Sequence, residues 1–236
     1  ILIFPAFPSD CIDYNVANGT NYNCDCNETT WEGYYSYMLG CWLPNANLQS
    51  ADLKWANLEG AYLVGADLRF AQLVTANLTN ANLVNANLVN ANLNWANMEN
   101  ANLKGTDFRY ADLVNANLAK ANLEGANLVN AKLAHANLIN GNLKDASLFD
   151  ADLEDANLES ANLMDAWLWY ANLRNANLKN ANLRIADMRY ANLMKVNLES
   201  ADLKDASLFD VKLMDADLTN ANLQDVNLKH ANLTGA

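Results

Sequence analysis

Four cysteines, Cys11, Cys24, Cys26 and Cys41, are the residues of this 236-residue chain best suited to chemistry, and all four lie within its first 45 residues. An even count in a short, loop-like stretch predicts two disulfides made in an oxidising compartment. Cys24 and Cys26 are too close for an easy mutual bridge, which favours the two connectivities that tie each of them to Cys11 or Cys41. Zinc is the rival reading. It would need four thiolates or added histidines, yet the spacing is Cys-x-Cys, and the two histidines, His135 and His230, are far away in sequence. Carboxylates are abundant because Asp alternates with Asn in the repeat described below, so a pair of them is no sign of acid/base catalysis. The glycines Gly60, Gly65, Gly105, Gly125, Gly141 and Gly235 are isolated and form no phosphate-binding loop. Neither enzyme nor cofactor is expected.

Asn18 and Asn27 each stand in an Asn-x-Thr triplet and are candidate glycan acceptors on a secreted chain; Asn77 and Asn232 match only as by-products of the repeat described below. The net charge of −12 argues against nucleic acid as a partner. Residues 1–45 hold five acids and no Lys or Arg, which leaves −7 on the remainder, so the two regions differ chemically. No apolar run approaches the length of a membrane span. Ile1–Phe7 is too short for an intact signal peptide, and the missing initiator Met reads as processing.

From Ala46 onward the sequence is one repeat of five. Thirty-eight consecutive pentads are centred at Leu48, Leu53, Leu58 and so on to Leu233, and the centre is Leu in 35 of them. The position two before the centre is Ala in 33 pentads, and the position between is Asn in 23 and Asp in 8. The last two positions vary and read as surface. A period of five makes no apolar stripe on an α-helix and would throw alternate leucines onto opposite faces of a flat strand. A chain that turns a corner after every pentad solves both problems. Ala and Leu then point inward, while Asn/Asp and the fourth residue point outward.

Segments such as A-N-L-V-N, A-D-L-K-W and A-N-L-E-G resemble the pentapeptide-repeat family, over residues 46–236. The resemblance implies an all-β fold, a right-handed quadrilateral parallel β-helix with 20 residues per coil. Residues 46–236 would make nine to ten coils, a rod some 45 Å long at about 4.8 Å per stacked strand. Residues 1–45 would form a small disulfide-bonded N-terminal cap, with the register extending back through Cys41–Asn45. Phe70, Tyr110, Tyr170 and Tyr190 fit a four-sided coil, since they are separated by 40, 60 and 20 residues.

On that frame one edge is rich in aromatics and arginine: Arg69, Phe70, Arg109, Tyr110, Phe149, Trp167, Trp169, Tyr170, Arg189, Tyr190 and Phe209, with Trp55 and Trp95 on the neighbouring side. Such an edge suits a protein partner or stacking on sugar rings. Stacked aromatics that merely bind coil to coil are the competing explanation. The C-terminal end runs in full repeat to the last residue, which predicts head-to-tail stacking of copies. There Leu223, Val226, Leu228 and Leu233 would be covered by the cap or by Ile1, Leu2, Ile3, Phe4 and Phe7 of the next molecule. The first functional expectation is therefore a secreted or cell-surface structural protein that assembles with itself, with the periplasm or thylakoid lumen as further locations. The second is an extracellular module binding glycan or protein through the aromatic edge. The third, implied by the family alone, is a DNA mimic that binds a topoisomerase.

Overall fold

The structure, a computed structural model, describes residues 38–236. Its backbone is a single coiled ladder. The middle residue of each pentad's inward–outward–inward triplet pairs in parallel with the residue 20 later, from Trp42↔Tyr62 to Lys212↔Asn232. With a turn in every pentad, a 20-residue register makes each coil four-sided. The sides are numbered by their central leucines: face one carries Leu48, Leu68 and onward, face two Leu53, face three Leu58 and face four Leu63.

The corners close with a recurring bond: the Ala51 N–H donates to the Leu48 carbonyl at 3.0 Å, and the pattern repeats along most of the chain. Between coils, Leu48 N–H donates to Asp67 O at 2.7 Å and Asp67 N–H to Ala46 O at 2.9 Å, so every side adds rungs to a parallel ladder. The ladder reaches back to Trp42, whose ring stacks on Tyr62 at 4.1 Å, and Met38, Cys41 and Leu43 are buried in line with the later repeats. Cys11, Cys24 and Cys26, the acceptors Asn18 and Asn27, and Ile1–Phe7 lie outside the described residues, and so does any pairing of the cysteines.

The core is the repeat itself. The central Leu and the Ala two before it are almost completely buried through most of the rod, and Phe108 is the largest fully enclosed side chain. In the same pentad Thr106 replaces Ala and is wholly buried, its hydroxyl donating to the Leu83 carbonyl at 2.7 Å. That bond removes the penalty of a buried hydroxyl.

The outward Asn or Asp has a double task. Its Oδ1 accepts the backbone N–H two residues on, as Asn57 does from Glu59 at 3.2 Å, which pins the corner. Where the residue is Asn, its Nδ2 also donates to the side chain one coil earlier. On face four these links run without a break from Asn182 to Asn162, Asn142, Asn122 and Asn102, at 2.9–3.3 Å.

The last pentad position is not the free surface site that its variability suggests. Every residue there, from Ser50 to Gly235, has a φ of about +55° to +80°. That left-handed conformation is strained for most L-residues and tolerated by Gly, Asn and Asp. Those three types fill 23 of the 38 positions. Ile185, with φ at 61° and a half-exposed side chain, is a β-branched residue in this conformation. Ile185→Asn should stabilise the rod by about 1 kcal/mol, read as a higher urea midpoint at unchanged slope; an unchanged or lower midpoint would contradict the strain.

Candidate functional site

Six aromatic residues occupy the strained corner position: Trp55, Phe70, Trp95, Tyr110, Tyr170 and Tyr190, with φ between 59° and 63°. Turn geometry alone favours Asn, Asp or Gly there, so the turn itself gives these rings no advantage. The structure divides the aromatic set. Phe70, Tyr110, Tyr170 and Tyr190 share the corner after face one, whereas Trp55 and Trp95 end face two and so lie one corner further round. Phe70 and Tyr110 are 40 residues apart, two coils, and neither touches another ring among the described residues; the same holds for Trp55 and Trp95.

Among the residues of this edge, the rings meet in the second half of face one. Phe149 packs edge-on to Tyr170 at 5.7 Å, Tyr170 stacks on Tyr190 at 5.0 Å, Tyr190 packs edge-on to Phe209 at 5.7 Å, and Phe209 meets His230 at 5.2 Å. Cross-coil stacking of this kind stabilises the rod, as the competing explanation held. It does not account for Trp167. This residue stands where the repeat has Asn, pairs through its backbone with Ser147 and Asp187, and leaves 67% of its surface exposed.

Asp187 and Arg189 lie beside it. The guanidinium of Arg189 donates two parallel hydrogen bonds to the Asp187 carboxylate, at 2.8 and 2.7 Å. It also lies over the Trp169 ring, 3.8 Å from the ring centre. Phe149, Trp167, Trp169, Asp187 and Arg189 together line a groove of about 480 Å³, within the usual range for small-ligand sites. Its walls are mostly aromatic, and its single charged pair is already mutually satisfied.

Asp187 went unmarked in the sequence reading because Asp is ordinary at its position. The signal that finds it is a tetrad, Asp-x-Arg-aromatic, which occurs at 67–70, 107–110 and 187–190, each time on face one. Arg69 and Arg109 grip Asp67 and Asp107 in the same two-bonded manner. The hydrogen-bonded Arg69 side chain holds the Asp67 carboxyl below the usual carboxylate range, against the upward pull of burial, and Asp67 in turn raises Arg69. A depressed carboxyl contributes stability that is present above the ordinary range, about pH 4, and lost as pH falls through its folded value. Arg69→Ala should return the Asp67 pKa upward toward about 4, followed by NMR titration of that carboxyl. A pKa that stays low would contradict the pairing.

At the fourth pentad position face three carries an acidic stripe, Glu59, Glu99, Glu159 and Glu199, and face four a basic one, Lys104, Lys144, Arg184 and Lys204, and local pairs lace both. Lys104 meets Glu124 at 3.0 Å, Lys120 meets Glu99 at 3.1 Å and Lys179 meets Glu199 at 2.7 Å. The residues that interrupt each stripe, Glu124 and Lys179, are the ones that pair within it. At the other end of the ladder, Leu223, Val226 and Leu228 are half-buried and Leu233 is exposed. These are the side chains that one more coil, of any origin, would cover. Among the described residues no group of three metal-ligating side chains comes together, and no helix is long and apolar enough to cross a membrane.

The model of the pentapeptide repeats matches eight copies here, over residues 46–85, 86–125, 126–165, 161–199 and 201–236. The chain belongs to the pentapeptide-repeat family. Members of this family are generally structural or binding proteins rather than enzymes. Among solved structures it is similar to HetL, a pentapeptide repeat protein involved in heterocyst differentiation regulation from the cyanobacterium Nostoc. The identity is 35% and the TM-score 0.82, over 83% of this chain and 89% of HetL. A pentapeptide repeat protein of the Arabidopsis thaliana thylakoid lumen shares 30% identity over 48% of this chain and 65% of its own, at a TM-score of 0.26. QnrB1, a plasmid-mediated fluoroquinolone resistance protein, shares 18% over 72% of this chain and 90% of its own, at 0.48. These last two superpose too poorly to bear on function. No curated protein sequence matches the chain.

Proposed function

We propose that this pentapeptide-repeat protein is a non-enzymatic rod of nine to ten right-handed coils that presents a binding groove on face one. The observation that carries the reading is the cluster of Trp167, Trp169 and Arg189 beside Phe149, gathered in one groove. A rigid ladder without inserted loops holds such a groove in one geometry, so little ordering cost accompanies binding. Four cysteines in the leading segment support an oxidising location, secreted or at a cell surface, with two disulfides in an N-terminal cap. Saturation-transfer NMR with a mixed set of neutral sugars, short peptides and aromatic acids tests the groove. At least one class should give a signal that the Trp167→Ala, Trp169→Ala, Arg189→Ala triple variant loses. Identical behaviour of the two proteins would contradict the reading.

End-to-end assembly is the second reading, favoured by the partly covered Leu223, Val226 and Leu228 and the exposed Leu233. A second copy seated there would bury them and extend the ladder into a filament. Electron microscopy decides between filaments and uniform particles one rod long; the latter would end this reading. The DNA-mimic reading has less support, because the acids of faces three and four are broken up by pairs such as Lys104–Glu124 and Lys179–Glu199.

A further inference from the structure

The groove on face one has a shape and a charge balance that select among occupants. The ring cluster from Phe149 to Phe209 spans three coil steps, about 15 Å along the rod, and one pentad, about 16 Å across. A patch on the order of 250 Å² falls well short of the roughly 800 Å² per partner that a stable protein interface buries. The occupant is therefore a small molecule or a short oligomer rather than a folded protein or a second rod.

Its charge follows from the walls. Asp187 and Arg189 neutralise each other through two hydrogen bonds, and the Arg189 plane is further held against Trp169. An anion would have to compete with Asp187 for the guanidinium, and a cation with Arg189 for the carboxylate, so a neutral ligand fits best. The pair still offers Asp187 lone pairs and the remaining Arg189 N–H donors, side by side and in a fixed orientation, to a molecule that carries hydroxyls. Next to these polar groups stands the open, flat ring of Trp167, two-thirds exposed. A partner that presents an apolar face to a ring and hydroxyls at its rim matches both surfaces at once.

From these features we infer that the groove lined by Phe149, Trp167, Trp169, Asp187 and Arg189 is a subsite for neutral carbohydrate, taking hexopyranose rings of a short oligosaccharide. The C–H face of one sugar ring lies on Trp167, and its hydroxyls exchange hydrogen bonds with Asp187 and Arg189. At about 480 Å³ the groove admits one or two such rings. Tyr170 and Tyr190, stacked on the adjoining corner, extend the aromatic surface toward further sugars. This assignment rests on the groove reading given above and narrows it to one ligand class.

The test is calorimetric and fluorescence titration of the full chain with cellotetraose, maltotetraose and chitotetraose, alongside a proline-rich peptide as a rival ligand for aromatic grooves. At least one tetrasaccharide should bind. Trp167→Ala should weaken that binding about tenfold or more, Trp167→Tyr should keep most of it, and Trp55→Ala, on another corner and several coils away along the rod, should leave it unchanged. Trp167 is exposed, so these variants are expected to fold, and circular dichroism checks that they do. Binding of no tetrasaccharide, or binding that survives Trp167→Ala, overturns the assignment. Binding of the peptide alone also overturns it, while leaving the groove itself intact as a site.

Discussion

Leu133→Ala should cost the rod about 2–5 kcal/mol, the usual range for emptying a fully buried leucine site. Leu133 is wholly enclosed near the middle of the ladder, with Leu113 and Leu153 one coil to either side. Its neighbours cannot collapse into the gap. Leu113 N–H bonds to Lys132 O at 2.7 Å and Leu133 N–H to Asp152 O at 2.6 Å, so the backbone on both sides is fixed by rungs. In a solenoid each coil is stabilised mainly by its two neighbours, so a mid-rod defect weakens two interfaces together. Urea unfolding monitored by circular dichroism measures the effect. A loss under about 1 kcal/mol would mean that the core is far more plastic than close packing allows.

Ala131→Leu should be nearly as harmful, through the opposite fault. Ala131 is 1% exposed and lies where the chain turns inward beside the ladder, with no space for three more carbons. The repeat's own exceptions indicate how little room there is. The corner bonds at Val196 and Val226 are 3.3 Å, against 3.0 Å at Ala131 and at most other alanines. Two extra methyl carbons thus already stretch the corner. A leucine would force the coil open at a cost of about 3 kcal/mol, the upper part of the range for overpacking. The same unfolding measurement applies, with Ala131→Val falling between wild type and Ala131→Leu. Equal stability of all three would contradict the tight corner.

Much of this architecture was legible in the sequence because its cause is local and repeated. The inward leucines and alanines are spaced by five, and that interval excludes a simple helix or flat strand. The 20-residue register was visible in the spacing of Phe70, Tyr110, Tyr170 and Tyr190. The left-handed corner was harder to see. It is written as a bias toward Asn, Asp and Gly rather than as one fixed residue, and a variable position resembles open surface. The groove was partly visible: Trp167, Trp169, Arg189 and Phe149 were marked as an aromatic edge. Their separation from Trp55 and Trp95 depends on which corner each residue ends. Asp187 was hidden because the same residue type serves as an ordinary corner pin, as Asp152 does for Glu154.

The exposed ring of Trp167 is the observation that most favours the groove reading. A rod selected only for stability would place Asn or Gly at positions 170 and 190, and Asn at 167. Stacking between Tyr170 and Tyr190 offsets part of the strain, but nothing within the described ladder is gained by the exposed face of Trp167. What sets these coils apart from the similar Asp–Arg–aromatic tetrads at 67–70 and 107–110 is that Trp167, Trp169 and Phe149 gather with the pair in one groove.

The most direct measurement of the central claim is an amide chemical-shift map of the protein titrated with cellotetraose, maltotetraose and chitotetraose. The account predicts shifts confined to face one around 147–150, 167–170 and 187–190, with the remainder of the rod silent. Shifts centred on another face or on the C-terminal coil, or none with any of the three sugars, would contradict it.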